Sequence, residues 1–213
     1  MENKVKFEVI RQFGPSVFKT QIPNELIDKL NNYAEQIIKD KKISEKQDHG
    51  KALVGDVAQE IRVDNDFAFK IGWIQFLASC VSKWIEIETK QKVTKFKLKN
   101  TWIVRQFKNE YNPIHWHGGH ISGVAYLKVP EKLNHENSKK HIHKNGNIEF
   151  VHGSTQFLSS STFTSKPEIG DLYIFPHYLM HTVYPFYGEG ERRSVSFNSF
   201  IDDKIFNVHS NPY

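Results

Sequence analysis

The 213-residue sequence contains a single cysteine, Cys80. One cysteine excludes an intramolecular disulfide framework and a cysteine-rich zinc module, and it favours a reducing compartment. Long hydrophobic runs are absent as well: no stretch approaches the roughly 20 apolar residues that span a bilayer, and the first residues, Met1–Phe7, contain no apolar signal region. We therefore predict a cytoplasmic protein without a membrane segment.

Charge of one sign is not concentrated anywhere in the chain. The net charge is +5 and the pI is about 9.1, but the excess lies in dispersed lysines, and no named nucleic-acid motif accompanies them. This pattern indicates a solvated surface, so we expect no nucleic-acid partner. With 38% hydrophobic and 25% charged residues, the composition is that of a globular protein, and the length suits one domain over residues 1–213.

The hydrophobic pattern divides the chain into a helical and a β part. Residues 21–39 place Leu26, Leu30 and Ile37 at helical spacing, and residues 66–86 predict a second, more deeply buried helix in which Cys80 fills core space. From about residue 95, seven or so short runs separated by Gly, Asn and Pro predict strands, with a long polar loop over 131–147. The pattern predicts a helical support region, 1–94, packed outside a β-sandwich or barrel, 95–213.

Two histidines alternate in the β part, His115 and His117. On an extended strand both side chains point to the same face, so they can address one metal. His181 follows 64 residues after His117, and a barrel can bring such distant strands together. Imidazole suits Fe(II). A metal-free set of histidines is the alternative, and the polar loop contains a second H-x-H pair, His141 and His143, that we expect to be silent.

Arg192 lies eleven residues beyond His181, at the start of a predicted strand. Alternation puts Ser194, Ser196 and Asn198 on its face, where a guanidinium can hold a carboxylate at two points with a hydroxyl beside it. Arg193 points to the opposite face, and we expect it to be exposed.

Three segments together carry a family resemblance: NPIHWHGGHISGVAYLKVP, GDLYIFPHYLMHTVYPF and RRSVSFNSF. The chain resembles, over roughly residues 98–200, the 2-oxoglutarate-Fe(II) oxygenases common in marine phages and bacteria, relatives of the prolyl hydroxylases. The resemblance implies a mainly β fold with N-terminal packing helices, a double-stranded β-helix of the jelly-roll, cupin-like kind. It also implies a hydroxylase that uses Fe(II), dioxygen and 2-oxoglutarate as cosubstrate, in the host cytoplasm if a phage encodes it.

The resemblance also implies roles for individual residues. His115 and His181 take two iron positions, Arg192 binds the distal carboxylate of 2-oxoglutarate, and Ser196 and Tyr126 assist it. Where the family has an acid, this chain has His117, and no Asp or Glu occurs from Asn112 to Lys128. We expect His117 to be the third ligand and hold His120 as the rival, since Gly118 and Gly119 interrupt the strand pattern. A halide in place of the missing carboxylate is a further alternative that His117 disfavours.

Two other functions compete with this interpretation. A cupin-like three-histidine dioxygenase or isomerase would not use 2-oxoglutarate and would not need Arg192 and Ser196. A non-catalytic β-sandwich, for carbohydrate binding or a virion structure, would not bind iron. The primary substrate is expected to be a small molecule or a peptide, and the residues that select it are expected on loops such as 40–60 and 131–147. The sequence leaves the oligomeric state open.

Overall fold

Two antiparallel β-sheets face each other and enclose the interior of the protein. A computed structural model describes residues 6–10, 14–50, 54–133 and 144–210. Within these ranges the strands are β1 (Phe7–Ile10), β2 (Val17–Gln21), β3 (Gln59–Arg62), β4 (Phe96–Gln106), β5 (Asn112–His115), β6 (Ile121–Lys128), β7 (Ile148–Val151), β8 (Thr162–Ser165), β9 (Asp171–Pro176), β10 (Met180–Val183) and β11 (Arg192–Ile201). The seven-stranded major sheet has the order β1-β2-β9-β6-β11-β4-β3, and the four-stranded minor sheet has the order β5-β10-β7-β8.

The helices are α1 (Asn24–Lys39), α2 (Lys41–Gln47), α3 (Asn65–Lys70), α4 (Trp73–Thr89) and α5 (Asp203–Ser210). The buried faces of α1 and α4 form one hydrophobic core with the outer face of the major sheet. A second core lies between the two sheets. Strand β6 serves both cores by alternation: Ala125 and Leu127 belong to the helix side, Val124 and Tyr126 to the inner side. The major sheet is therefore covered on both faces.

The helix predicted over residues 66–86 is broken in two. Gly72 has a φ of 89°, a left-handed conformation that a residue with a side chain rarely adopts, and it separates α3 from α4. Asp64 caps α3, because its side chain accepts hydrogen bonds from the N–H groups of Asp66 and Phe67. The break redirects the chain so that α4 can lie on the sheet.

The N-terminal region adds strands as well as helices to the fold. Strand β2 pairs with β9, and β3 pairs with β4, so three strands of the major sheet precede residue 95, where the sequence pattern indicated only helices. The later strands fall inside the predicted runs, although only Thr162–Ser165 of the run TQFLSSSTFTS is extended. The two facing sheets with outer helices are the predicted double-stranded β-helix. Over the part of the chain that the structure describes, no helix is long and apolar enough to cross a membrane.

Candidate active site

A cavity of about 260 Å³ lies between the inner face of the major sheet and the minor sheet. It combines imidazole rings, one guanidinium, one carboxyl and several aromatic rings. Its polar and aromatic lining residues are Glu60, Trp102, Asn112, His115, Trp116, His117, Phe175, His181, Arg192, Ser194, Ser196 and Asn198. No other charged side chain of the described residues lines it.

The three histidines predicted to bind metal meet in this cavity. His115 ends β5 and lies directly opposite His181 of β10 in the strand register, and His117 follows two residues after β5. One nitrogen from each ring can be chosen so that all three lie within 4.8 Å of one another. The Nε2 atoms of His117 and His181 are 3.1 Å apart. Two nitrogens bound at right angles to one metal at about 2.1 Å lie about 3.0 Å apart, so this spacing fits a shared ion.

Backbone carbonyls orient two of the rings. Nδ1 of His115 lies 2.7 Å from the Pro113 carbonyl, and Nδ1 of His181 lies 3.0 Å from the Leu179 carbonyl. A carbonyl oxygen only accepts, so each Nδ1 carries the proton and each Nε2 keeps its lone pair. This tautomer presents Nε2 to the cavity as a ligand.

All three rings are neutral at neutral pH. Burial lowers the pKa of His115, and burial together with the other two rings lowers that of His181 well below its usual range. Burial, with repulsion from His115, His177 and Lys99, lowers the pKa of His117 to about 3. Neutral imidazole is the form that binds a metal, so the cluster is ready to do so without losing protons.

The structure separates His117 from its rival His120. The backbone N–H of His117 donates to the His177 carbonyl, and Nδ1 of His177 donates to the His117 carbonyl. His120 lies in a different cavity, where its ring stacks on Phe206 with centroids 3.7 Å apart. These two hydrogen bonds to the half-buried His177 hold the backbone of His117 in position. His141 and His143 lie outside the described residues.

Arg192, which lines the cavity, forms a buried pair with Tyr126. Arg192 is 1% exposed and Tyr126 is 0% exposed. The guanidinium lies 4.8 Å from the centroid of the Tyr126 ring, Nε donates to the Gly146 carbonyl and Nη1 donates to Oε1 of Gln106. Neither Nη2 of Arg192 nor the hydroxyl of Tyr126 has a hydrogen-bond partner. Buried donors without a partner cost free energy, so the binding of a hydrogen-bond acceptor beside this pair would be favourable.

Burial changes the ionisation of both groups. It lowers the pKa of the Arg192 guanidinium, and it raises the pKa of the Tyr126 hydroxyl to about 12, against the opposing pull of the Arg192 charge. The tyrosine is therefore a neutral donor at neutral pH. A cationic fork beside a neutral hydroxyl donor is suited to an anionic oxygen.

The remaining residues of β11 follow the predicted alternation. Ser194, Ser196 and Asn198 line the cavity on the face of Arg192. Oδ1 of Asn198 accepts a hydrogen bond of 2.7 Å from the Ser122 hydroxyl. Ser196 thus shares the cavity lining with Arg192 and the histidine cluster.

The expectation that Arg193 is exposed was wrong. Arg193 is 0% exposed, and it donates to both carboxylate oxygens of Glu191, each at 2.8 Å, to Glu35 at 2.9 Å and to Asn31 at 3.1 Å. Its face of β11 points to the helix side, where α1 supplies Asn31 and Glu35. Arg193 is a structural link between α1 and the sheet.

One charged residue of the cavity did not emerge from the sequence. Glu60 is 3% exposed on β3 and lines the site. The only signal was the alternation of Ile61 and Val63 in a polar region that the pattern represented as a loop. A four-residue edge strand gives too short a pattern to be recognised.

One family model matches the segment that carries most of this cavity. Residues 100–198 match the family described as "Putative 2OG-Fe(II) oxygenase", and this segment includes the three histidines, Tyr126 and Arg192. No curated protein matches the chain.

Solved structures with a similar fold include prolyl hydroxylases. The viral collagen prolyl hydroxylase of Paramecium bursaria Chlorella virus-1, solved as a 2-oxoglutarate complex, has 15% identity and a TM-score of 0.51, with 91% of this chain and 94% of that chain covered. A Pseudomonas putida prolyl-4-hydroxylase has 12% identity and a TM-score of 0.54, covering 93% and 92%. A Trichoplax adhaerens prolyl hydroxylase, in complex with a hypoxia inducible factor peptide fragment, has 15% identity and a TM-score of 0.53, covering 98% and 89%.

At these identities the solved structures establish the fold, and the family match adds the chemistry. The match confirms the resemblance read from the sequence motifs. The protein is an Fe(II)/2-oxoglutarate-dependent oxygenase, with iron, 2-oxoglutarate and dioxygen as its cofactor and cosubstrates.

Proposed function

We propose that the protein is a hydroxylase that couples the decarboxylation of 2-oxoglutarate to succinate with the insertion of an oxygen atom into a C–H bond of a small-molecule or peptidyl substrate. The observation that carries the proposal is Arg192, which lines one cavity together with three neutral imidazoles and whose Nη2, like the hydroxyl of the neighbouring Tyr126, is buried without a hydrogen-bond partner. The histidines offer a metal site, and the donors offer a site for the far end of a dicarboxylate.

His115, His117 and His181 would hold the Fe(II). Their donor set fits the ion, because imidazole is a suitable ligand and three protein ligands leave positions for a cosubstrate and dioxygen. When bound, Fe(II) supplies the redox chemistry that activates dioxygen. Because His117 replaces a carboxylate, the protein contributes no negative charge to the centre.

Arg192 and Tyr126 would hold the distal carboxylate of 2-oxoglutarate. Arg192 is fixed in direction, since Gln106 and Gly146 already bind two of its nitrogens. The third nitrogen and the Tyr126 hydroxyl remain for the ligand. A charge-assisted hydrogen bond to each would satisfy both buried donors at once. Ser196 lines the cavity on the same strand face and would assist.

Hydroxylation is favoured over halogenation by the third imidazole. A halide needs a metal position that no protein side chain occupies. The Nε2 atom of His117 lies 3.1 Å from that of His181, so His117 can occupy the position that the halide would need. The three-histidine enzyme without 2-oxoglutarate is disfavoured by Arg192, because Nη2 of this buried guanidinium has no hydrogen-bond partner unless a ligand supplies one.

The test adds Fe(II) and then 2-oxoglutarate to the protein under anaerobic conditions and follows the weak charge-transfer absorption of the iron chelate. We expect the band in the wild type, its loss in His181→Ala, and a strongly raised 2-oxoglutarate requirement in Arg192→Ala. Cutting one side of a buried charged pair costs about 2–5 kcal/mol, which corresponds to roughly 30-fold or more in affinity.

Two variants make the test specific. His120→Ala removes a histidine from the other cavity and should retain the band. Arg192→Lys keeps the charge but lacks the planar fork, so it should recover only part of the affinity. Iron binding without any response to 2-oxoglutarate would favour the cosubstrate-free enzyme, and the absence of iron binding would favour the non-catalytic β-sandwich.

A further inference from the structure

Glu60 reaches the active-site cavity from the edge of the major sheet. It lies directly opposite Val104 in the β3–β4 register, and directly opposed residues of an antiparallel pair share a face. Val104 lines the cavity, and Glu60 lines it as well. With 3% of its surface exposed, the residue is part of the interior.

The backbone of Glu60 is well bound, but its carboxyl is not. The N–H of Glu60 donates to Asp48 Oδ1 at 3.3 Å, and its carbonyl accepts from the His49 N–H at 2.9 Å. The side-chain atom Oε2 is buried without a hydrogen-bond partner. Burial, together with repulsion from Asp48, raises the pKa of Glu60 to about 7. The fold therefore buries a carboxyl that no positively charged group in the described part of the chain neutralises.

Glu60 is the charged group of the cavity that neither the described residues nor 2-oxoglutarate would pair with. Outside the neutral histidine cluster, Arg192 and Glu60 are the described lining residues whose side chains can be charged, and the carboxyl of Glu60 is mostly ionised at pH 8. The distal carboxylate of 2-oxoglutarate matches Arg192, so the carboxylate of Glu60 stays available to the other substrate. A buried carboxylate is stabilised by a cation with N–H donors.

The aromatic lining points to the same class of ligand. Trp102 and Trp116 line the cavity that Glu60 faces, and Trp116 is 66% exposed. Indole rings attract organic cations through their electron-rich faces, and an exposed ring at the opening is accessible to an arriving substrate. An indole ring has only an N–H donor, so neither tryptophan competes with Glu60 for the N–H groups of a bound cation.

We propose that Glu60 binds a cationic nitrogen of the primary substrate, a protonated amine or a guanidinium, and thereby positions a basic side chain or amine for oxidation. This inference rests on the proposed function, because it assigns Arg192 to 2-oxoglutarate and leaves Glu60 to the substrate.

The experiment uses the full chain loaded anaerobically with Fe(II) and 2-oxoglutarate at pH 8, and calorimetry with four probes. Two are cations, Nα-acetyl-lysine methylamide and Nα-acetyl-arginine methylamide. Two are their neutral counterparts, Nα-acetyl-norleucine methylamide and Nα-acetyl-citrulline methylamide. We expect at least one cation to bind about tenfold or more tightly than its neutral counterpart, and Glu60→Gln to abolish that preference.

The controls separate this proposal from the proposed function. Arg62→Gln alters an exposed residue of the same strand and should keep the preference. The proposal is overturned if neither cation outperforms its neutral counterpart in the wild type, a result that needs no variant to fold. It is also overturned if Glu60→Gln retains the preference, or if that variant loses iron or 2-oxoglutarate affinity, which would assign Glu60 to the metal centre. A wild type that fails to bind 2-oxoglutarate but prefers the cations contradicts the proposed function alone.

Discussion

Replacing Tyr126 with phenylalanine should change stability and ligand binding in opposite directions. The substitution removes one oxygen atom from a ring that is 0% exposed, and that oxygen has no hydrogen-bond partner. In the ligand-free protein the change therefore breaks no hydrogen bond. It removes a buried unpaired hydroxyl, whose desolvation costs about 1–3 kcal/mol.

The expected magnitudes follow from these two environments. The ligand-free Tyr126→Phe protein should be as stable as the wild type or more stable, by up to about 1 kcal/mol once the small cavity left by the oxygen is included. Affinity for 2-oxoglutarate should fall, because a hydrogen bond to a charged group contributes about 1.5–3 kcal/mol. That range corresponds to roughly 10- to 150-fold.

Tyr173→Phe is the matched control. Tyr173 is also 0% exposed and its ring lies 6.3 Å from that of Tyr126. Its hydroxyl, however, is bound: it lies 2.6 Å from the Ser165 hydroxyl and donates to Asp171 at 3.3 Å. This variant should lose about 1 kcal/mol of stability and keep its 2-oxoglutarate affinity.

Urea unfolding of the ligand-free proteins and anaerobic titration of the Fe(II) proteins with 2-oxoglutarate measure the two quantities. The reasoning would be refuted by a Tyr126→Phe protein that is less stable than the wild type and binds 2-oxoglutarate equally well. That result would assign the hydroxyl to the fold rather than to the ligand.

Three further predictions concern the other charged and ligating groups. His117→Asp should keep Fe(II) affinity in calorimetry, because it restores a carboxylate ligand, whereas His117→Ala should lose more affinity than His120→Ala; the reverse order would move the third ligand to His120. Arg193→Ala should lower the free energy of unfolding by about 3 kcal/mol, since it removes the charge-assisted hydrogen bonds of a buried guanidinium to Glu191, Glu35 and Asn31, although Glu191 keeps its pair with Arg105. Lys108→Ala, which cuts an exposed pair with Glu189, should cost less than about 1 kcal/mol. Glu60→Gln should become more stable relative to the wild type as the pH rises from about 5 to about 7, by on the order of 2–3 kcal/mol. In the folded protein the pKa of Glu60 is raised to about 7, so the folded protein binds this proton more tightly than the unfolded chain and deprotonation destabilises the wild type. The measurement is urea unfolding of both proteins at several pH values. Free energies of unfolding that depend on pH in the same way for both proteins would contradict the prediction.

The strand pattern was sufficient to predict one face of the site. On β11 a period of two places Arg192, Ser194 and Ser196 together, and the structure has all three on the cavity. The meeting of His115 and His181 depends on the β5–β10 register. A single sequence does not encode that long-range pairing locally, so it could be inferred only from the family resemblance.

What the pattern missed depends on neighbouring elements. The burial of Arg193 is decided by α1, which covers the outer face of the sheet and supplies Glu35. The position of Glu60 is decided by β4, which pairs with a strand of only four residues. The break at Gly72 was hidden because the apolar spacing continues across it. For Arg193 and Glu60 a tertiary contact overrides a weak local signal.

The short strand β5 has a consequence for how the protein gains and loses its metal. It is a four-residue edge strand that is paired, among the described elements, only with β10, and the pair juxtaposes His115 and His181. With the proposed ligands, one metal ion therefore links the edge strand β5 to β10. Detachment of β5 would separate two ligands of that ion. Iron affinity and the free energy of local opening at this edge are then thermodynamically linked. Amide hydrogens of residues 112–115 should exchange faster after chelation, while those in the middle of the major sheet keep their protection.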